Sequence, residues 1–327
     1  MSAELLSVRG LSVSFVTEGG VARVLDAVSL SLMPGEIMGL VGESGCGKTT
    51  LARAILGALP ENASIDDGTL EFDGRDLLTT TQQVRGRAIT FVPQDPYSSF
   101  SPLFTVGDQI MELMRWKSPD HRTGRSRRRA DRDRVLMLLR AVQLPDPERL
   151  LRKYPHELSG GQRQRVMIAM ALLPEPKLVI ADEPTTALDV TIQAQILKLL
   201  RRLANERGVS VLFATHDLGT AWEICDRVTV MYAGQELETA PIGEFFRAPM
   251  APYTRLLLES LPSSGSPLRG IAGEVPSLIA PPRGCRFHPR CPRASDVCRD
   301  EHPAAQEPER GHQVRCHHPH FRTVAAA

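Results

Sequence analysis

Two kinds of apolar pattern run along this chain. Residues 5–15 and 24–32 alternate apolar with polar positions, the two-residue period of half-covered strands. Glu36-Ile37-Met38-Gly39-Leu40-Val41, Leu178-Val179-Ile180-Ala181 and residues 209–214 are largely unbroken apolar runs. Such runs suit strands covered on both faces of a parallel sheet. Between them, residues 49–59, 162–173 and 190–207 read as helices and complete an α/β order. The regular patterning fades near residues 240–260. Of 25 prolines, 13 lie beyond residue 240, and six of nine His and four of six Cys lie beyond residue 280. The pattern predicts an α/β body followed by a Pro-rich appendix.

Composition narrows the classes. A chain of 327 residues has room for about two domains. With 42% apolar and 24% charged residues it is neither disordered nor fibrous. Lys and Arg number 39 against 38 Asp and Glu, a net charge of +1, so no global basic field advertises nucleic acid. No run approaches the ~18 apolar residues of a membrane helix. The opening Met1-Ser2-Ala3-Glu4-Leu5-Leu6 has no basic and apolar leader pattern. The expectation is a cytosolic protein whose six Cys are thiols or metal ligands. Arg122, Arg125, Arg127, Arg128, Arg129, Arg132 and Arg134 form a local run. It reads as an anion patch or as a solvated helix start with Asp131 and Asp133 interleaved. The lack of interleaved aromatics favours the helix.

Gly42-Glu43-Ser44-Gly45-Cys46-Gly47-Lys48-Thr49 fits the P-loop pattern and lies between an apolar strand and a helix, as that pattern requires. Glycines let backbone N–H groups turn around phosphate oxygens, and the helix N-terminus adds partial positive charge. Lys48 is then placed for the β- and γ-phosphates, and Thr49 for Mg²⁺. Cys46 reads either as a thiol acidified by Lys48 and the helix start, or as a small space-filling residue. The run 178–181 ends in Asp182 and Glu183. Asp182 suits Mg²⁺ through water, and Glu183 suits polarising an attacking water. Loop and carboxylates together predict a nucleotide hydrolase.

Leu158-Ser159-Gly160-Gly161-Gln162-Arg163-Gln164-Arg165 resembles the signature of ATP-binding-cassette (ABC) ATPases. Other cassette elements stand in the expected order. Phe15 matches the adenine-stacking aromatic, Gln94 the Q-loop, Ala187-Leu188-Asp189 the D-loop and His216 the switch histidine. The resemblance spans residues 5–240. It implies an α/β P-loop core, with a mixed, mainly parallel sheet flanked by helices. Antiparallel β and helical signature subdomains accompany that core, the helical one at about residues 95–172. Residues 1–250 would form the nucleotide-binding domain, and 251–327 a small, irregular, Cys-rich region. The resemblance also implies a head-to-tail pair of cassettes with two ATPs between them. Gly42, Glu43, Ser44, Gly45, Cys46, Gly47, Lys48, Thr49 and Thr50 would hold one ATP. Ser159, Gly160, Gly161 and Gln162 would hold the ATP of the opposite subunit, and Asp189 would cross the interface. Glu183 would act as general base, His216 would bridge it to the γ-phosphate, and Gln94 would sense Mg²⁺ and water. Thr49, Gln94 and Asp182 would be the Mg²⁺ ligands.

Residues 95–102, Tyr154-Pro155-His156-Glu157, residues 166–172 and residues 251–257 resemble the oligopeptide/dipeptide importer cassettes, a family that includes nickel importers. The run Met167-Ile168-Ala169-Met170 is similar to the D-type of the two paired cassettes. The implied partners are a second cassette (the same chain or another), two permeases and an extracytoplasmic peptide-binding protein. The implied place is the cytoplasmic face of the inner membrane, held through the permeases. Residues 97–100 would meet a permease helix, with Tyr97 and Phe100 exposed. Import of nickel complexes or glutathione is an alternative. A soluble cassette ATPase acting on nucleic acid or ribosomes through the Arg run is another, as is a metal-sensing module without transport.

Cys285, Cys291, Cys298 and Cys316 have five, six and seventeen residues between them. Four Cys in a segment with little apolar core point to a metal site. These intervals match neither a zinc knuckle nor a ferredoxin run, so spacing alone leaves the metal open. The resemblance adds a 4Fe–4S cluster as one occupant. Zn²⁺ is the alternative, with His288, His312, His317 and His318 as further ligands, and an unmetallated tail is a third reading. Cys225 reads as a buried structural thiol.

Overall fold

The unbroken apolar runs are strands in which every residue is buried. The alternating runs are strands too, but bulges between Val8 and Leu11 and at Val13 break the alternation of the first, where Leu6, Ser7 and Val8 are all buried. A computed structural model describes residues 3–120, 123–185, 188–261 and 270–320. In chain order the elements begin β1 (Leu6–Thr17), β2 (Gly20–Leu32), β3 (Ile37–Val41), α1 (Lys48–Ile55), β4 (Ala63–Phe72) and β5 (Arg75–Asp76). Next come α2 (Leu77–Val84), β6 (Ile89–Val92), α3 (Val106–Lys117), α4 (Gly124–Ala141), α5 (Pro147–Leu150) and α6 (Gly160–Leu172). They are followed by β7 (Leu178–Asp182), α7 (Val190–Arg207), β8 (Ser210–Thr215), α8 (Leu218–Ile224), β9 (Arg227–Tyr232) and β10 (Gln235–Pro241). The last are α9 (Ile242–Arg247), α10 (Pro252–Glu259), α11 (Asp296–Asp300), β11 (Ala305–Glu309) and β12 (His312–Arg315).

The chain divides into two compact units. One combines the chain up to Thr79 with the chain from Ala214 onward. It holds an antiparallel sheet in the order β2-β1-β4-β5 and a second run of strands in the order β11-β12-β10-β9-β3. There β3 and β9 are parallel, whereas β10, β12 and β11 add antiparallel strands. The other unit, Thr80–Phe213, carries β7 between β8 and β6. Its β6 and β7 are parallel, the arrangement that two-faced burial predicts.

Helix α1 ends at Ile55, short of residue 59. Gly57 takes φ 59° just past the C-cap Leu56, a left-handed turn that stops the helix. The described arginines of the basic run, from Arg125 on, fall on α4, which buries Asp131, Val135, Leu138 and Leu139. Arg127 donates to the carbonyls of Met114 and Arg115, at 2.9 and 2.8 Å, and lies 3.5 Å from Asp131. Asp131 also accepts from the Ser118 hydroxyl at 2.5 Å. Arg134 pairs with Glu175. Arg127 and Arg134 are therefore engaged in holding the helix, while Arg125, Arg128, Arg129 and Arg132 face solvent. Arg122 lies outside the described residues.

Part of the Cys-rich segment is regular. β12 pairs with β10 in the register Glu238↔Val314 and Thr239↔Gln313. Val314 is fully buried with Met250 and Ala251. β11, by contrast, is exposed along its whole length. Glu238 ties this corner together and is 1% exposed. Its carboxylate accepts from the Met250 and Ala251 N–H groups, each at 2.8 Å, and meets His312 Nε2 at 2.7 Å. Truncating it strands two backbone donors and a buried imidazole. Glu238→Ala should cost about 3 kcal/mol of stability. Thermal unfolding would show this as a lowered Tm, and an unchanged Tm would contradict it.

Candidate nucleotide site and cysteine pocket

The buried strand β3 delivers the chain to Gly42, which takes φ 153°. A Cβ there would lie 2.1 Å from the Met231 carbonyl oxygen, so no side chain fits. Gly47 takes φ 107° as the N-cap of α1, and a Cβ there would lie 2.7 Å from Leu25 Cδ2. The loop therefore enters α1 as bare backbone, the form in which N–H groups cradle an anion. Lys48 is 6% exposed, and its ammonium donates to the carbonyls of Gly42 at 2.7 Å and Glu43 at 3.2 Å. That holds the cation over the loop. Ser44, Gly45 and Thr49 are exposed, and Thr50 is half-buried.

Cys46 is 1% exposed. Burial pushes its thiol above the ordinary range, and the opposing pull of Lys48 is smaller. The acidified-thiol reading is thereby corrected, and Cys46 is a space-filling residue of the loop. Cys225 is likewise buried, at 4% exposure. Phe15 is half-buried on β1, opposite Ala22 of β2 and Ala63 of β4. His216 is exposed just after β8. Asp217 fixes the turn that presents it, accepting from Gly219 N at 2.9 Å as the N-cap of α8.

The second unit carries its own set. Asp182, the last residue of β7, is 5% exposed. Glu183 follows at φ 45°, a left-handed backbone rare for a residue with a Cβ and typical of strain kept at working positions. Gln94 Nε2 donates to Glu183 Oε2 at 2.9 Å, so the Q-loop amide and the proposed base are in contact. Ser159 caps α6, accepting from Gln162 N at 3.3 Å, while Gln162 Oε1 accepts from Ser159 N at 3.1 Å. A hydroxyl that accepts keeps its own proton to donate. Added Cβ atoms would lie 3.0 Å from the Tyr97 hydroxyl at Gly160 and 2.9 Å from Ile192 at Gly161. Asp189 is exposed and caps α7, accepting from Ile192 N at 2.9 Å. Ala187 lies outside the described residues.

The expected docking stretch needs one correction. Tyr97 is 55% exposed, with the Arg163 guanidinium 4.3 Å above its ring, but Phe100 is buried at 6%. Apolar exposure passes instead to Leu103, Phe104 and Trp116. Backbone N–H groups from residues 97 and 98 grip Asp95 and hold its carboxyl below the usual range, Tyr97 foremost.

In the first unit Cys285, Cys291, Cys298 and Cys316 line one pocket, with Tyr253, Phe287 and Arg293. The sequence spreads them over 32 positions, and the backbone gathers them. Gly284 takes φ 64°, and a Cβ there would lie 2.6 Å from the Cys298 carbonyl oxygen. Cys285 N donates to that same oxygen at 2.9 Å. Burial raises the thiols of Cys285 and Cys291, and that of Cys316 to about 12. The neighbouring thiols reinforce each rise. Among the described residues no group of three or more His, Cys, Asp or Glu stands close enough to clasp a metal ion. The donor set nonetheless suits a thiophilic group, because four soft ligands share one apolar cavity. Of the candidate imidazoles, His288, His317 and His318 line the pocket. His312 does not, because it is engaged with Glu238.

Sequence reasoning missed how Glu43 is held. Arg290 Nη1 donates to Glu43 Oε2 at 2.8 Å and Nη2 to Oε1 at 3.1 Å. The Tyr253 hydroxyl accepts from Glu43 N at 3.2 Å. A usable signal was the arginine beside each of the first two cysteines of the pocket, Arg286 after Cys285 and Arg290 before Cys291.

Residues 25–186 match the family described as ABC transporter, and residues 237–298 match the oligopeptide/dipeptide transporter C-terminal region. A probable peptide ABC transporter ATP-binding protein, y4tR of Sinorhizobium fredii, is 47% identical over 95% of this chain and 94% of its own. The dipeptide transport ATP-binding protein DppD of Bacillus subtilis is 44% identical over 96% and 94%. The solved dimer of the ATP-binding cassette MJ0796, in a post-hydrolysis state bound to ADP and phosphate, superposes with a TM-score of 0.63. It is 27% identical and covers 72% of this chain and 98% of that one.

A buried, high-pKa thiol is a poor nucleophile, because the thiolate is the reacting form. N-ethylmaleimide at neutral pH should leave Cys46 unmodified in the folded protein and label it after denaturation. Mass spectrometry of Cys46 peptides reads the result, and rapid native labelling would contradict it.

Proposed function

Because the chain belongs to the ABC transporter family, with the C-terminal region of its oligopeptide/dipeptide branch, we propose that it hydrolyses ATP to drive peptide import through partner permeases. The observation that carries this reading is the bare-backbone loop at α1 with Lys48 held over it, joined in one chain to that C-terminal region.

Each residue has a part in that reaction. Amides of residues 42–49 and the Lys48 ammonium bind the phosphates. Thr49, Gln94 and Asp182 offer the oxygen ligands Mg²⁺ prefers, and bound Mg²⁺ neutralises charge on the phosphates. Glu183 takes a proton from the attacking water, and its contact with Gln94 sets the carboxylate's orientation. His216 bridges base and phosphate, and Phe15 stacks on the adenine. Ser159, Gly160, Gly161 and Gln162 present donors to the ATP of an opposed cassette, and Asp189 meets that cassette. ATP closes the pair and product release opens it, which resets the permeases. Tyr97, Leu103, Phe104 and Trp116 supply exposed surface for a permease helix. A peptide-binding protein outside the membrane completes the assembly, and the chain itself rests on the cytoplasmic face.

In the cysteine pocket, Cys285, Cys291, Cys298 and Cys316 hold a 4Fe–4S cluster, with Zn²⁺ as the alternative occupant. Such a group cross-links a segment whose own apolar core is small.

Glu183→Gln should bind ATP yet lose nearly all hydrolysis. Captured from native membranes in mild detergent, it should bring two permeases, a second cassette and a peptide-binding protein. Full turnover would remove Glu183 from the base role, and capture of ribosomal partners without a permease would end the transport reading. Protein purified without oxygen should contain about four irons and four sulfides per chain. Zinc in their place would select the alternative, and neither would reject a metallated pocket.

A further inference from the structure

The cysteine pocket and the nucleotide loop share their supports. Arg290 ends a single 3-10 turn, residues 288–290, between Cys285 and Cys291. His288 N donates to the Cys285 carbonyl at 2.9 Å, and Cys291 N to the His288 carbonyl at 3.3 Å. The turn is thus fastened to a pocket cysteine at each end. From it the Arg290 side chain, 4% exposed, reaches Glu43 of the loop with two parallel hydrogen bonds. The same guanidinium donates to the Tyr232 hydroxyl at 3.2 Å and to the carbonyls of Ile271 and Ala272 at 3.1 and 2.9 Å. Gly273 leaves room for it, since a Cβ there would lie 3.1 Å from Arg290 Cγ. Arg286, beside Cys285, is 1% exposed. It donates to Asp26 at 2.8 Å and to the Ala233 carbonyl, and Gly234 N next along donates to the Cys46 carbonyl at 3.0 Å. Two arginines flanking pocket cysteines therefore end on, or one bond from, the loop.

The electrostatics give this link a direction. Glu43 places a carboxylate in a loop built for phosphate, and an unpaired carboxylate there repels the ligand. Arg290 neutralises that charge and fixes its position with a bidentate, charge-assisted pair. We propose that Arg290 is a positioning residue for the nucleotide loop, and that through it the state of the four-cysteine pocket sets how tightly the loop holds nucleotide. The proposal rests on the nucleotide-binding reading of that loop. Linkage makes the coupling reciprocal, so nucleotide also stabilises the pocket arrangement that keeps Arg290 on Glu43.

The test is equilibrium binding of a fluorescent ADP analogue with Mg²⁺ to the full chain, with folding followed by circular dichroism. R290A should weaken binding about tenfold, and R290K, which keeps the charge and loses the fork, should fall between. C291S changes a pocket thiol while leaving the Arg290 side chain in place, and should weaken binding in wild type but add little on R290A. E43Q removes the charge that Arg290 answers, so R290A and C291S should each have little effect on that background. If R290A does not fold, the E43Q and C291S pair carries the same comparison. Unaltered affinity in R290A, or C291S effects that persist in full on E43Q, would overturn the proposal. Wild type that binds no ADP at all would overturn the nucleotide reading itself, a different failure.

Discussion

The first unit depends on backbone pressed against backbone around the nucleotide loop. Gly42 lies so close to the Met231 carbonyl that a methyl group would overlap it. Gly234, in the turn between β9 and β10, is pressed in the same way against the Val24 carbonyl, 2.5 Å from where a Cβ would be. Cys46 and Gly234 close the contact with a backbone hydrogen bond of 3.0 Å. β2, the loop and the β9–β10 turn are thus one packed knot, and none can shift without the others. A loop fixed this way meets an anion with donors already aimed, so little ordering is required on binding.

Charged groups from the C-terminal region complete that knot. Arg286 and Arg290 bury nearly all of their side chains and end on Asp26 and Glu43. Burying a guanidinium is costly unless it is paired. Arg290 has carboxylate, hydroxyl and carbonyl partners together, whereas Arg286 pairs through its two terminal nitrogens and leaves Nε buried without a partner. The aromatic rings of Tyr232, Tyr253 and Phe287 pack edge-on or tilted beside the Arg290 pair, with centroids 4.7 to 5.1 Å apart. The C-terminal region is therefore joined to the loop mainly by oriented polar contacts within an aromatic wall.

Most of the α/β body was legible because its signals are local. The runs 178–181 and 209–214 have one stable use, and β7 and β8 are buried throughout. The loop and signature were legible because phosphate contact demands fixed residue types at fixed spacing. Three features were not. Phe100 is buried because the chain after Asp95 turns back under its own N–H bonds, which hydrophobicity alone does not report. β12 spans only four residues, and its partner β10 is some seventy positions earlier, so no periodicity announces it. The Arg290–Glu43 pair joins residues 247 positions apart, so an arginine beside a cysteine marks the position without naming its partner.

The outermost strand, β11, has all five residues exposed. Its sequence is Ala305-Gln306-Glu307-Pro308-Glu309. Pro308 has no N–H to offer, and the two glutamates place like charge beside any approaching backbone. A strand of this kind terminates a sheet, because a further chain gains few ladder bonds and meets repulsion. This edge is thereby barred to open-ended growth, one strand added upon another.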